Sequence, residues 1–263
     1  MRVAGGIAVG LALFLAANCA GTGGTGSGDP AAIGASVLAA DPGAATTLAA
    51  EFETLAFGGS GRLARLAAPV IVNVAPSTAE ASSRETALVA GLVDSLSGGA
   101  GIAVALSDES MFTALDAGRA RSAFLVTFIE PDAIPSLAAQ LVGTGISASL
   151  VAGLTSSLSG SGCAALEFAA GGRPGVILIN VDTALDAARQ TRCVAREFAS
   201  NLGLPGRLDR PGSVFGPSVP AAGFAARDLV LLRMLHDPRL RNGMGAAEAR
   251  PLLPAVAAAA LAP

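Results

Sequence analysis

Short runs of β-branched and other apolar residues recur along the chain and predict the strands of a sheet. The runs occupy residues 65–74, 102–106, 122–129, 163–168 and 175–181. The last two flank Gly171-Gly172-Arg173-Pro174, whose composition is typical of a hairpin turn. We therefore expect a sheet in which the last two strands pair as a hairpin.

Apolar residues at helical spacing predict helices before and between these strands. Residues 31–57 favour one or two helices, and residues 82–97 favour another with Ser82 or Ser83 as its N-cap. Between residues 133 and 158 the pattern begins as a helix, and its second half fits either a loop or a second helix. The order of elements predicts an α+β domain with a mixed sheet that helices cover on one face.

One amphipathic helix late in the chain is the best defined element of the sequence. Val194, Phe198 and Leu202 repeat at i, i+4 and i+8 and form one apolar stripe. Gly203 follows the stripe, where a helix commonly ends in the left-handed conformation, and Pro205 prevents the helix from resuming. This helix is therefore predicted to be buried on one side and to end at Gly203.

Composition and charge exclude one class of partner. The chain has 263 residues, which is enough for a substantial core, and its formal net charge is −3. It has no basic stripe with interleaved aromatic residues, which is the usual electrostatic pattern of a nucleic-acid-binding protein. We expect no nucleic-acid partner.

The N-terminus has the pattern of an export signal. Arg2 precedes an apolar run over residues 3–17, which is too short to cross a bilayer and is followed by Cys19. Leu15-Ala16-Ala17-Asn18-Cys19 resembles a bacterial lipobox, in which the cysteine is lipidated and becomes the new N-terminus. Cleavage of an ordinary signal near Ala20 is the alternative. We expect an exported protein of the periplasm or cell envelope, anchored to the membrane through lipid on Cys19.

A Gly-rich segment separates the signal from the rest of the chain. Residues 20–30 have almost no apolar side chain to bury and are predicted to form a flexible tether. The predicted organisation is therefore a signal with lipobox over 1–19, the tether over 20–30 and a single domain over 31–263.

The two remaining cysteines predict a disulfide. Cys163 and Cys193 are an even number of cysteines in an exported chain, and oxidising conditions favour the bond. Two buried free thiols are the alternative. The bond would close a loop of about 30 residues and stabilise the fold by about 3 kcal/mol in the chain-entropy model.

The segment from Arg196 to Gly203 resembles the active-site helix of a zinc protease without its metal ligands. The signature His-Glu-x-x-His-x-x-Gly places two zinc-binding histidines and a general-base glutamate on one helix. Glu197 and Gly203 keep their spacing, whereas Arg196 and Ser200 stand at the histidine positions. Because His236 is the only histidine and Arg196 would bring a permanent cation to the metal, we expect neither zinc nor another cofactor.

Later segments extend the resemblance to metzincins, a group of zincin proteases. Residues 212–217 stand where these proteases have a turn beneath the metal, and residues 224–235 resemble their closing helix. This resemblance implies a zincin-like α+β fold with a mixed sheet.

The sequence also resembles a family of putative bacterial lipoproteins known as the domain-of-unknown-function 2927 family. The shared features are Cys193, Glu197, Leu202-Gly203-Leu204, Ser213-Val214-Phe215 and residues 232–244. The likeness is close over residues 160–250 and looser back to Ala50. The family implies no activity.

These resemblances favour a non-catalytic envelope protein whose former cleft binds a peptide or another envelope protein. The enzyme alternative is a hydrolase in which Glu197 acts as general base without zinc, with Arg196 as electrophilic helper. A purely structural lipoprotein is a further possibility. The simpler interpretation of Glu197 is a helix-surface residue paired with arginine. Asp237-Pro238-Arg239 is interpreted first as a helix terminator, with Asp237 as the cap and Arg239 paired with Asp228.

Overall fold

The computed structural model describes residues 28–58, 61–143, 145–170, 173–217 and 223–262. The predicted signal, Cys19 and most of the predicted tether lie outside these residues. Within them, no helix is both long enough and apolar enough to cross a membrane.

Helices and strands are both present along the described chain, which confirms the coarse prediction of mixed α and β structure. The helices are α1 Pro30–Ala40, α2 Ala44–Phe57, α3 Ser82–Asp94, α4 Met111–Asp116, α5 Ile134–Gly143, α6 Ala148–Ser161, α7 Ala187–Leu202, α8 Ala226–Leu235, α9 Ala246–Ala249 and α10 Leu253–Leu261. The strands are β1 Val70–Ala75, β2 Val104–Leu106, β3 Ser122–Ile129, β4 Cys163–Ala170 and β5 Arg173–Asp182.

The strands form one mixed sheet in the order β2-β1-β3-β5-β4. β1 runs parallel to β2 and β3, and β3 runs parallel to β5. β4 is an edge strand antiparallel to β5, with Cys163 opposite Val181. The mixed sheet and the final hairpin are confirmed, and each predicted run overlaps an observed strand.

Helices pack on both faces of the sheet, so the prediction that they cover one face is wrong. Side chains alternate between the two faces along each strand. One face, with Val72, Phe124 and Ile179, joins the main core together with α2, α3, α7, α8 and α10. The other face packs on α4 around Met111 and on α5 and α6 around Leu158.

One helix prediction needs correction in detail, and the structure decides between the two alternatives left open for another region. The helix predicted over 82–97 is α3 followed by a π-helical turn over Ser95–Gly99, and its N-cap is Ala81 with no side-chain capping bond. In the ambiguous region 133–158 the second-helix alternative is confirmed, because α5 is followed by α6, which extends to Ser161. Ser147 caps α6 by accepting a hydrogen bond from the Leu150 N–H.

The central helix is α7, and its sequence accounts for both of its ends. It begins at Ala187 because the Asp186 carboxylate caps it by accepting from the Arg189 N–H at 2.8 Å. The predicted apolar stripe is buried against the sheet, with the Phe198 ring 4.8 Å from that of Phe124.

Gly203 ends α7 in a Schellman motif. Its N–H donates to Ser200 O, and the Leu204 N–H donates to Ala199 O at 3.0 Å. Its φ of +135° is open to glycine and strained for residues with a Cβ. The predicted end of the helix is confirmed.

Candidate functional site

A groove of about 550 Å³ runs along the outer side of α7. The last turn of α6 and the first residue of β4 form one side, and a turn over residues 213–217 contributes to another. Its charged lining residues are Asp182, Arg189, Arg192, Arg196, Glu197 and Arg207. Two of the predicted site residues, Cys163 and Cys193, also line it, so this groove unites every predicted site residue that the structure describes.

A disulfide joins the edge of the sheet to α7 within the groove wall. Cys163 opens β4 and Cys193 lies on α7, with their Cα atoms 5.7 Å apart. The predicted bond is confirmed, and the free-thiol alternative is wrong. The bond holds α7 beside the edge strand at the place where the groove opens.

Glu197 lines the groove in a half-buried position. The side-chain amide of Asn201 donates to its Oε2 at 3.3 Å, and among the described residues its carboxylate makes no ion pair. Burial raises the pKa of Glu197, against the opposing effects of Arg196, the Asn201 hydrogen bond and Arg207. The interpretation of Glu197 as a surface residue paired with arginine therefore does not describe its environment.

Arg196 turns its guanidinium towards the chain that follows α7. It donates to the carbonyl oxygens of Pro205 and Gly206, each at 2.9 Å, and its Cζ lies 5.5 Å from the centre of the Phe215 ring. Burial lowers the pKa of Arg196, and the neighbouring charges of Arg207 and Arg192 lower it further, while Glu197 opposes them.

A second arginine fixes the 213–217 turn to α7. Arg192 donates through one guanidinium nitrogen to Gly216 O at 2.6 Å. Arg192 and Arg196 thus donate to main-chain carbonyls, which carry no net charge and so do not neutralise the guanidinium groups. Neither arginine makes an ion pair among the described residues. Their positive charges remain largely uncompensated inside the groove.

A buried carboxylate holds the same turn from the other side. Asp228, in the first turn of α8, accepts from Ser213 Oγ at 2.6 Å, from the Val214 N–H at 3.1 Å and from the Ala225 N–H at 3.0 Å. Burial raises the pKa of Asp228 even though all three hydrogen bonds lower it. The predicted pairing with Arg239 is wrong, because Arg239 instead pairs with Asp237 at 2.6 Å.

The only histidine lies elsewhere. His236 ends α8 and lines a separate pocket of about 460 Å³ with Arg65 and Arg121. Burial lowers its pKa to about 4, with a further contribution from Arg65. Across the described part of the chain, no three His, Cys, Asp or Glu side chains are grouped so that they could hold a metal ion.

The cationic lining of the groove is the feature that sequence reasoning missed. Arg189, Arg192 and Arg196 are spaced i, i+3 and i+7, which places them on one face of a helix. That spacing was a usable signal for the helix face. Arg207 lies beyond the helix end, and only the fold brings it to the same groove.

One family model matches the chain. It is described as Protein of unknown function (DUF2927) and covers residues 44–255. No curated protein and no solved structure matches the chain.

Proposed function

Because the chain belongs to the DUF2927 family, whose function is unknown, we propose a function from the groove itself. The protein is an exported cell-envelope protein, anchored through lipid on Cys19, that binds an extended peptide or a segment of another envelope protein without cleaving it. The observation that carries the proposal is the open groove of about 550 Å³ between α7, the end of α6 with the first residue of β4, and the 213–217 turn.

The edge strand supports a peptide as the ligand. β4 pairs with β5 alone among the described strands, so one row of its backbone groups has no strand partner there. Extended peptides commonly bind by adding a strand to such an edge, and side-chain pockets beside the edge supply specificity. The groove begins at Cys163, the first residue of this strand.

Two positions support descent from a zincin that has lost its metal site. Arg196, at the first histidine position, already uses its guanidinium to bind the carbonyls of residues 205 and 206. The longer metzincin signature has a third histidine three residues after its glycine, which corresponds to Gly206. A Cβ on Gly206 would lie 2.5 Å from Thr54 O, so this backbone cannot carry a histidine there.

The disulfide supports an exported location. Disulfides persist in oxidising compartments and are rare in the reducing cytosol. The bond between Cys163 and Cys193 therefore agrees with the export signal at the N-terminus.

Peptide capture by the purified mature protein tests the binding proposal. We expect a peptide-display library to yield binders, and Ser159→Trp to abolish their binding because Ser159 is an exposed residue of the groove wall. Ser156→Trp is the matched control, since Ser156 is exposed on the same helix and is not among the groove residues. Equal binding by both variants would place the peptide outside the groove and refute the proposal.

A hydrolase remains the second candidate because Glu197 meets one requirement of a general base. It faces the groove, and burial shifts its pKa upwards, towards the range in which a carboxylate accepts a proton efficiently. Arg196 is occupied by carbonyl oxygens, whereas Arg207 has no side-chain partner among the described residues. Arg207 is therefore the better electrophilic helper.

Turnover of a fluorogenic peptide library separates the two candidates. Under the binding proposal the wild-type protein and Glu197→Gln both lack peptidase activity. Activity that disappears in Glu197→Gln and persists in Glu167→Gln, an exposed glutamate on β4, would establish the hydrolase instead.

A further inference from the structure

We propose that the groove along α7 recognises carboxylate groups, so that the peptide bound there is acidic. This inference rests on the proposed peptide-binding function and adds the chemical class of its ligand. It follows from how the charges of the groove are distributed and from what already satisfies them.

The groove is cationic in a chain that is acidic as a whole. Four arginines line it against two carboxylates, whereas the full sequence has a formal net charge of −3. Because the chain contains no lysine, the choice of arginine carries no information, and only the placement of these arginines indicates the ligand. A concave surface lined by one sign of charge concentrates ligands of the opposite sign.

Two of the groove arginines, Arg192 and Arg196, are held by groups that do not neutralise them. Arg192 and Arg196 donate to main-chain carbonyls of the loop after α7, at distances of 2.6 to 2.9 Å. Arg189 makes an exposed ion pair with Asp186, with a shortest N–O distance of 3.4 Å. A guanidinium has five N–H donors, so the carbonyl contacts leave further donors for a ligand.

Arg207 is the side chain best placed to receive the ligand. It is exposed, lines the groove and has no hydrogen-bond or ion-pair partner among the described residues. It is also close enough to Arg196 for the two charges to repel. A carboxylate between them would replace this repulsion with two attractive contacts, and arginine binds carboxylates through paired N–H donors.

Glu197 does not neutralise the groove. Its carboxyl accepts a hydrogen bond from Asn201 and makes no ion pair among the described residues. Its burial also favours the protonated form, in which it would donate a hydrogen bond to a ligand carboxylate. The local charge therefore stays positive in the absence of a ligand.

Two matched peptides test the inference on the purified mature protein. One is an acetylated, amidated octapeptide with three glutamates among alanines and serines, and the other has glutamine at those positions. We expect fluorescence anisotropy to give at least tenfold tighter binding of the glutamate peptide, with an affinity that falls as salt is raised.

Two charge-matched variants locate the effect. Arg207→Gln is expected to weaken the glutamate peptide about tenfold and to leave the glutamine peptide unchanged. Arg121→Gln removes the same charge from another exposed arginine that lacks a side-chain partner among the described residues and lies outside the groove. It is expected to change neither affinity.

The other outcomes separate failure of the acidic-ligand inference from failure of the peptide-binding proposal. Equal binding of the two peptides, or equal effects of the two variants, would overturn the acidic-ligand inference and leave peptide binding intact. Displacement of the glutamate peptide by inorganic phosphate at similar affinity would also overturn it, in favour of a general anion site. Absence of any peptide bound in the groove would instead overturn the proposed function.

Discussion

Replacing Gly203 with alanine tests how the chain ends α7 and positions the groove. The residue has a φ of +135°, and a Cβ built there would lie 2.3 Å from the backbone oxygen of Ala64. Replacement with alanine therefore has two separate costs in folding free energy. Alanine disfavours positive φ, and its Cβ would clash with the backbone at Ala64, which cannot move aside as a flexible side chain could. The first cost is about 1–2 kcal/mol, and the second, by analogy with overpacked cores, is about 1–3 kcal/mol.

Gly118 offers a matched control because it ends α4 in the same hydrogen-bonded motif. Its N–H donates to Leu115 O, and the Arg119 N–H donates to Ala114 O at 2.9 Å. Its φ is +70°, and nothing lies within 4 Å of the Cβ position. Gly118→Ala should therefore carry the conformational cost without the steric one.

Thermal and denaturant unfolding of both variants measure the difference. We expect Gly118→Ala to lose about 1–2 kcal/mol and Gly203→Ala to lose about 2–5 kcal/mol of unfolding free energy. In a chain of this size each kcal/mol lowers Tm by about 2–4 °C, so the two melting curves should be clearly resolved. Equal losses of unfolding free energy in the two variants, or a smaller loss in Gly203→Ala, would refute the close approach of Gly203 to the Ala64 backbone.

Four further predictions concern the disulfide, His236, the lipid anchor and the expected lack of zinc. Changing both Cys163 and Cys193 to serine should lower stability by about 3 kcal/mol, and alkylation of the unreduced mature protein should label neither cysteine. Because the folded pKa of His236 is about 4 and its unfolded value is about 6.5, the unfolded state binds the extra proton between these values. The free energy of unfolding should thus fall by up to about 3 kcal/mol as pH drops from 6.5 to 4. His236→Gln should remove this pH dependence above about pH 4.5, where most carboxylates have not yet titrated. Cys19→Ser should release the protein from membranes, and unchanged fractionation would contradict the lipid anchor. Elemental analysis should find no stoichiometric zinc, and EDTA should leave Tm unaltered.

The elements that the sequence predicted well are those in which local chemistry and packing agree. The α7 stripe of Val194, Phe198 and Leu202 is buried because helical spacing alone places these side chains on one face. Gly203 terminates the helix because both the local φ and the tertiary contact with Ala64 require a glycine. The cysteines could be paired from their number, since only one pairing remained once Cys19 was assigned to the signal.

The features that sequence reasoning missed depend on contacts distant along the chain. The second face of the sheet is covered because Leu158 and Met111 meet it from helices that carry weak periodic signals. Asp228 binds the 213–217 turn because Ser213 Oγ and the Val214 N–H converge on its buried carboxylate, and only its bond to the Ala225 N–H follows a local capping spacing. Arg207 joins the groove only through the reversal of the chain after Gly203.

The walls of the groove are fixed to α7 by bonds of different chemistry, and this bears on how it would bind. The disulfide holds the start of β4, Arg192 holds the turn at Gly216, and Arg196 holds the backbone at Pro205 and Gly206. A ligand entering such a site has little protein to order, so less of its binding free energy is lost to reorganisation. Arg196 thus has a structural role of its own, because its guanidinium links α7 to the chain that follows the helix.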